Sequence, residues 1–129
     1  MLASVTATGL PRIHPVSVDI LDGRLLVFSI DAAPRTRAFH EDGRYAFHAH
    51  LDVEHPDELL LRGHAVAVTD PGLCERALAA WPFDASDGYT LFELRVEHAL
   101  LAERATEDDW PPRYSAWHAP VPDPATYRR

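Results

Sequence analysis

The sequence contains one cysteine, Cys74, and no lysine, because all 12 of its basic residues are arginine. A single cysteine excludes an intramolecular disulfide, so the disulfide-stapled fold of a small secreted protein is not expected. Without lysine, any anion-binding site must use arginine, histidine or backbone N–H groups. No apolar run reaches the ~18 residues of a transmembrane helix, and no signal-peptide pattern is recognisable. These absences predict a soluble cytoplasmic protein.

The chain is long enough for one domain with a buried core, since 47% of its 129 residues are hydrophobic. We expect a single domain over residues 1–120 and a C-terminal tail over residues 121–129. The formal net charge of −8 argues against nucleic acid or an anionic membrane as a partner, because both require a positive surface. The motifs of serine hydrolases, P-loop proteins, dinucleotide-binding folds and zinc proteases are absent from the sequence.

The N-terminal part has the pattern of antiparallel strands joined by tight turns. Strands are predicted over Leu2 to Thr6, Arg12 to Ile20 and Arg24 to Ile30. Asp22-Gly23 suits a type I′ hairpin turn, in which both residues have positive φ. Pro15 lies inside the second predicted strand, where its missing N–H requires a sheet edge or a bulge.

The rest of the chain alternates short helices with longer strands. Pro34 occupies the first position of a predicted helix that runs to His40, and Asp70-Pro71 begins a second helix that Pro82 ends. Gly63 predicts a bulge, or a close approach by other groups, in the middle of its strand. The strands predicted from apolar patterning are Arg44 to Leu51, Glu58 to Thr69 and Tyr89 to Leu101. In the last of these strands, four apolar side chains are expected to lie on one face: Phe92, Leu94, Val96 and Leu100.

Six strands and two short helices predict a mainly β protein, built as a closed or nearly closed antiparallel barrel. A set of local features occurs in a fixed order: the turn Gly9-Leu10-Pro11, the pair Pro15-Val16, the hairpin Asp22-Gly23, Ser29 at a strand end, and a short basic helix. Together with the segments LLLRGHAVAVTDPGLCERALAAW and RYSAWHAP, this order resembles the pyridoxamine 5′-phosphate oxidase-like family. The resemblance covers roughly residues 2–120.

Members of that family are split β-barrels that bind FMN or, in some branches, a deazaflavin. The resemblance therefore implies a six-stranded split barrel and an FMN-dependent oxidoreductase with a small-molecule substrate. It also implies a homodimer with two cofactor sites at the interface. No catalytic side chain is assigned, because the flavin carries the redox step. The alternatives are a deazaflavin-dependent reductase and a non-catalytic barrel that holds flavin or haem.

The resemblance assigns residues to the cofactor site. Arg35 and Arg37 lie in the first turn of a helix, whose N–H groups and dipole favour anions, and are assigned to the flavin phosphate. Ala33 lacks the hydroxyl group that the family usually places there, which weakens this site, and the family's helix ahead of the first strand has no counterpart. The same chain is expected to contribute Arg12, His14, Pro15, Val16, Ser17, Phe28 and Ser29 along the flavin. The second subunit is expected to contribute Glu58, Arg113 and Trp117.

The histidines offer a different chemistry. His48 and His50 share a face of one predicted strand, and His55 and His64 are close to them in sequence. A His-x-His pair on a strand can chelate a transition metal, and one histidine can ligate haem. No carboxylate completes an obvious ligand set in the sequence, so we predict no metal and expect these residues at a barrel rim or dimer face. Haem chemistry would require His48, His50 or His64 to face a pocket.

Overall fold

The computed structural model describes residues 1–50, 54 and 56–120. The predicted tail over residues 121–129, Leu51 and His55 therefore lie outside the described residues. Within them the chain forms eight strands and two helices. The strands are β1 (Leu2–Val5), β2 (Pro11–His14), β3 (Asp19–Leu21), β4 (Arg24–Ile30), β5 (Arg44–His50), β6 (Glu58–Ala67), β7 (Tyr89–Glu103) and β8 (Arg113–His118). The helices are α1 (Pro34–Glu41) and α2 (Pro71–Ala80).

All the strands belong to one antiparallel sheet of order β2-β1-β5-β6-β7-β4-β3, and β8 also pairs with β7. The first part of β7 pairs with β4, and its last part pairs with β8 on the same side. No ladder joins β2 to β3 among the described strands, so the sheet is not closed by hydrogen bonds. The barrel was predicted to be closed or nearly closed, and the structure shows that it is not closed; the predicted six strands are corrected to eight.

The first extra strand arises because the predicted strand from Arg12 to Ile20 breaks in two. Residues 15–18 belong to no strand, and the two halves pair with opposite ends of the sheet. Pro15 has no N–H to donate, so the ladder of β2 ends at His14. Five residue steps can span at most ~18 Å, so this break brings the two sheet edges close together. The sheet therefore curls into a split barrel.

The second extra strand is β8, where the sequence predicted only a tail segment. It pairs with residues 98–103 of β7, and every residue of β8 is exposed. A strand with no buried face shows no alternation of apolar and polar residues, so periodicity could not reveal it.

The predicted bulge at Gly63 is confirmed. The register between β6 and β7 shifts after Arg62, leaving Glu97 as the extra residue on β7. An added Cβ at Gly63 would lie 1.8 Å from the carbonyl oxygen of Arg95, so only glycine fits this approach. The extra residue reverses the faces of β7 beyond it. The prediction that Leu100 shares a face with Phe92 is therefore wrong.

Two apolar clusters hold the fold together. The first fills the barrel interior and joins Leu2, Val27, Phe47, Leu61 and Phe92, with Phe39 of α1 covering one end. The second lies between α2 and the outer side of β4 and β7. Its members are Leu26, Phe28, Leu73, Ala77, Trp81, Ala85 and Leu91.

The local signals at the turns and helix starts are confirmed. Asp22 and Gly23 have φ of 53° and 74°, as a type I′ turn requires. The Asp70 side chain accepts a hydrogen bond from the N–H of Gly72 and caps α2, and Pro71 occupies its first turn. Among the described residues, no helix is both long and apolar enough to cross a membrane.

Candidate functional site

Arg35 lies where the start of α1 meets the break between β2 and β3. Its Nε donates to Ser29 Oγ at 3.1 Å and its Nη1 donates to the carbonyl oxygen of Pro15 at 3.3 Å. The side chain is half-buried, and burial lowers the pKa of its guanidinium. No described carboxylate forms an ion pair with it. A partly buried cation of this kind favours an anionic ligand, because the ligand would offset the cost of burying the charge.

A buried pair of hydroxyl groups holds Arg35 in place. Ser29 at the end of β4 is fully buried, and its Oγ lies 2.6 Å from Oγ1 of Thr36. Thr36 Oγ1 in turn donates to the carbonyl oxygen of Ile30 at 2.5 Å. Sequence reasoning named Ser29 but missed Thr36, although a hydroxyl residue in the first turn of a helix beside a strand end was the available signal. The two hydroxyls position the guanidinium.

A histidine and a second arginine lie near Arg35. His14, the last residue of β2, has a pKa below its usual 6.5, first because of burial and then because of the nearby charges of Arg35 and Arg12. Its Nε2 also lies 3.4 Å from the buried Ser4 hydroxyl. Arg12 and Arg35 therefore place two positive charges beside the His14 imidazole, on a chain whose formal charge is −8. We call these three residues the basic patch.

Arg37 points to a different side of α1. It lines a groove of about 510 Å³ at the helix start, together with Arg12, Thr6, Thr8 and the backbone of residues 31–34. Neither arginine forms an ion pair with a described carboxylate, although Asp31 and Glu41 also border the groove. The structure thus separates the two predicted phosphate ligands, with Arg35 at the strand break and Arg37 in the groove. Arg12 links the two places.

The other predicted residues of the same chain divide between the strand break and the core. Pro15 and Ser17 are exposed at the break, where Pro15 accepts the hydrogen bond from Arg35. Val16 packs against the barrel interior. Phe28 points away from the break, because it packs edge-on against Trp81 in the α2 cluster with ring centroids 4.9 Å apart.

Of the three residues predicted to come from a second subunit, Glu58 and Arg113 lie at the end of β7 opposite to Ser29, whereas Trp117 lines a groove together with Ile13. Ser29 pairs with Thr90 near the beginning of β7, whereas Glu58 pairs with Ala102 near its end. At ~3.3 Å per residue these positions are ~40 Å apart along the strand. Arg113 Nη2 lies 3.7 Å from Glu103 Oε2 at that same distant end. One chain does not bring Glu58 and Arg113 to the basic patch.

A broad apolar groove of about 620 Å³ lies on the outer face of the sheet. Apolar residues from six strands line it, among them Ile13, which is 67% exposed, and Trp117, which is 52% exposed. The groove also includes His48, His98 and His118. Neither His98 nor His118 was singled out from the sequence, because the two residues meet only through the pairing of β8 with β7. Exposed apolar surface of this kind is typical of a binding face.

Comparison with solved structures shows that the fold is shared with split-barrel proteins. The heme-binding protein of Mycobacterium smegmatis superimposes with a TM-score of 0.69 at 21% identity, over 91% of this chain and 51% of that protein. This chain thus spans about half the length of that protein. A NimC/NimA family protein of Clostridium acetobutylicum gives a TM-score of 0.68 at 15% identity, over 90% of this chain and 82% of that one.

The heme storage protein HutZ of Vibrio cholerae gives a TM-score of 0.59 at 17% identity, over 74% of this chain and 79% of that one. No family model matches the chain, and no curated protein matches it significantly in sequence. Identities this low show a common fold and nothing finer. The fold predicted from the sequence is confirmed at that level, with the strand count and closure corrected as above.

Proposed function

We propose that this chain binds a phosphate-bearing flavin of the FMN type beside the basic patch and acts as a flavin-dependent oxidoreductase on a small molecule. The observation that carries this proposal is Arg35: a half-buried guanidinium, oriented by Ser29, with no described carboxylate partner. Arg12 adds a second positive charge nearby, and it acts with Arg35 to keep the His14 imidazole neutral by lowering its pKa. A phosphate group would pair with a charge that the protein leaves unpaired.

The strand break provides the second element that a flavin needs. Residues 15–18 take part in no ladder, so the backbone N–H groups of Val16, Ser17 and Val18 can bind the polar edge of a ligand. A flavin supplies hydride or single-electron transfer when bound, and the protein's own groups bind and orient it. Arg35 would hold the phosphate, while the backbone of Pro15, Val16 and Ser17 would fix the rest of the molecule.

We also propose that a second copy of the chain completes the site. Glu58 and Arg113 lie at the end of β7 opposite to the one that pairs with Ser29, and a second subunit could bring them, together with its Trp117, to the cofactor. The apolar groove and the fully exposed β8 offer the surface for that pairing. We expect the purified protein to sediment as a dimer, and a monomer at micromolar concentration would contradict this part of the proposal.

Titration of the purified protein with FMN, followed by quenching of flavin fluorescence, tests the proposal. Arg35→Ala should weaken binding by roughly 10- to 100-fold, as expected for the loss of a charged hydrogen-bonding group. Arg76→Ala is the matched control. Arg76 lies on α2 and forms an exposed ion pair with Asp22, so its replacement should not affect FMN binding. Equal affinity of both variants, or no binding by the parent protein, would reject the proposal.

A deazaflavin is tested in the same way. Its longer phosphate-bearing tail requires more basic groups, and Arg12 and Arg37 in the groove at the start of α1 are the ones present. If deazaflavin is the cofactor, Arg37→Ala should weaken its binding as strongly as Arg35→Ala, whereas FMN binding should depend mainly on Arg35.

Haem binding is a second candidate, favoured by the histidines of the apolar groove. His48, His98 and His118 all line it, and an imidazole beside an apolar surface is the usual setting for a haem ligand. Titration with hemin should then give a Soret band that shifts in His48→Ala or His98→Ala and is unchanged in Arg35→Ala. The pattern of variants separates the two cofactors, because Arg35 does not line the groove, and neither His48 nor His98 is assigned to the FMN site.

A further inference from the structure

His48, His50 and Glu58 meet on one face of the β5–β6 hairpin. His48 and His50 are two residues apart on β5, so their side chains point to the same side. Glu58 of β6 stands directly opposite His50 and diagonally opposite His48 in the ladder. The sequence had offered no carboxylate for this pair of histidines. The register of the ladder supplies one, because Glu58 of β6 pairs with His50 of β5.

The donor atoms are spaced as a shared metal ion would require. Nε2 of His48 lies 2.8 Å from Oε1 of Glu58, and the ligand atoms of all three residues lie within 4.8 Å of one another. Bonds of ~2.0–2.1 Å to an ion with tetrahedral or octahedral angles separate neighbouring donors by roughly 2.8–3.4 Å. Side-chain rotations that move these donors by a few tenths of an ångström, together with a turn of the exposed His50 ring, would complete such a set.

The hairpin backbone also fixes the positions of these side chains. β5 and β6 pair over seven consecutive residues from Arg44 to His50, and β6 is held on its other side by β7. The Cβ atoms of the three residues are therefore fixed before any ion binds, which reduces the entropy cost of assembling the site. The His48 and Glu58 side chains remain 38% and 35% exposed, so an ion can reach them from solvent.

We infer that His48, His50 and Glu58 form a binding site for one divalent transition-metal ion of the Zn²⁺, Co²⁺ or Ni²⁺ class. Two imidazoles and one carboxylate suit ions of intermediate softness and disfavour Mg²⁺ and Ca²⁺, which prefer oxygen ligands. Three protein ligands leave at least one coordination position for water. The inference rests on the geometry of the three side chains and not on the flavin proposal; Glu58 is also assigned to the flavin site, whereas His48 and His50 are not.

Isothermal titration of tag-free, chelator-treated protein with ZnCl₂ is the test, with Co²⁺ absorption spectra as a second readout. We expect one tight site per chain, weakened at least ~10-fold in His50→Ala and Glu58→Gln, as for the loss of a metal ligand. Co²⁺ should give visible d–d bands in the parent protein that are absent from His50→Ala. Circular dichroism establishes that the variants are folded. Because His50 is exposed, we expect His50→Ala to disturb the fold less than Glu58→Gln.

The control variant is His64→Ala. His64 and Glu97 form a second exposed histidine–carboxylate pair on the neighbouring strands β6 and β7, but no described third ligand accompanies them. Its loss should leave the tight site unchanged. Tight binding that survives in His50→Ala, or the absence of a one-to-one site in the parent protein, would overturn the inference. Unaltered FMN titration of His50→Ala would show that any change in metal binding is separate from the flavin site.

Discussion

Replacement of Gly63 by alanine should destabilise the protein far more than the small size of the added methyl group suggests. The new methyl group would lie 1.8 Å from the carbonyl oxygen of Arg95 and 3.1 Å from the backbone nitrogen of Glu97. Ordinary C···O contacts are about 3.3–3.6 Å long, so β6 and β7 would have to separate locally by about 1.5 Å. Both neighbouring atoms belong to the backbone and cannot rotate away.

The magnitude follows from three contributions. Overpacking in a rigid site costs about 1–3 kcal/mol, and each ladder hydrogen bond weakened by the separation costs about 1 kcal/mol. The lower entropy of the unfolded chain offsets about 0.5–1 kcal/mol. The net loss in the free energy of unfolding is therefore about 2–4 kcal/mol, which lowers the melting temperature by roughly 10 °C for a domain of this size.

Urea unfolding followed by far-UV circular dichroism measures this loss, with Gly72→Ala as the control. A methyl group at Gly72 would meet only side-chain ends, Arg76 Nη1 at 3.3 Å and Asp70 Oδ1 at 3.4 Å, and Gly72 lies in the first turn of α2. That variant should change the unfolding free energy by less than about 1 kcal/mol. If Gly63→Ala were as stable as Gly72→Ala, the close approach at the bulge would be refuted.

Two further predictions concern buried groups. Trp81 buries its indole N–H without a described partner. Trp81→Phe should therefore lower the free energy of unfolding by less than about 1 kcal/mol, whereas Trp81→Ala should lower it by about 3–5 kcal/mol. Thermal unfolding measures both losses, and equal losses would contradict this prediction. His14 should titrate below pH 6.5 in NMR spectra, and Arg35→Ala should raise its pKa towards that value. Because the folded state lowers this pKa, the unfolded chain binds the proton more tightly, so stability falls as the pH drops from about 6.5 through the folded pKa. An unchanged His14 titration in Arg35→Ala would show that the two charges do not interact.

The features that could be predicted from the sequence are those set by neighbouring residues. Asp22-Gly23 specifies its turn because both residues tolerate a positive φ. Asp70-Pro71 specifies a helix start because the Asp70 side chain caps the helix and Pro71 has no N–H to leave without a partner. The alternation of Tyr45 and Phe47 identified β5 because one face of that strand is buried. Each signal acts within a few residues, so distant partners did not affect it.

The features that could not be predicted depend on pairing between distant segments. Pro15 was recognised as incompatible with a central ladder, but nothing local indicates that the two halves of its strand pair with opposite ends of the sheet. The reversal of the faces of β7 depends on Glu97, which has no partner residue in the β6–β7 ladder and lies beside Gly63 of β6.

The candidate sites divide in the same way. Arg35 was identified from the family resemblance and from its position at a helix start, whereas its contact with the Pro15 carbonyl and the meeting of Glu58 with His48 required the three-dimensional structure. The first is a property of a helix start, and the others depend on where separate strands lie.

The 15-residue strand β7 has a consequence for how the protein is synthesised. It is the only described strand that pairs with three others, β4, β6 and β8, and it begins at Tyr89, after most of the sheet has been translated. Until β7 leaves the ribosome, the β1–β5–β6 part and the β3–β4 hairpin have no common partner, and the edges of β4 and β6 stay open. Open edges of this kind invite pairing between nascent chains. Translation speed through residues 89–103, and chaperone access to the chain before that point, should therefore govern how much folded protein a cell recovers.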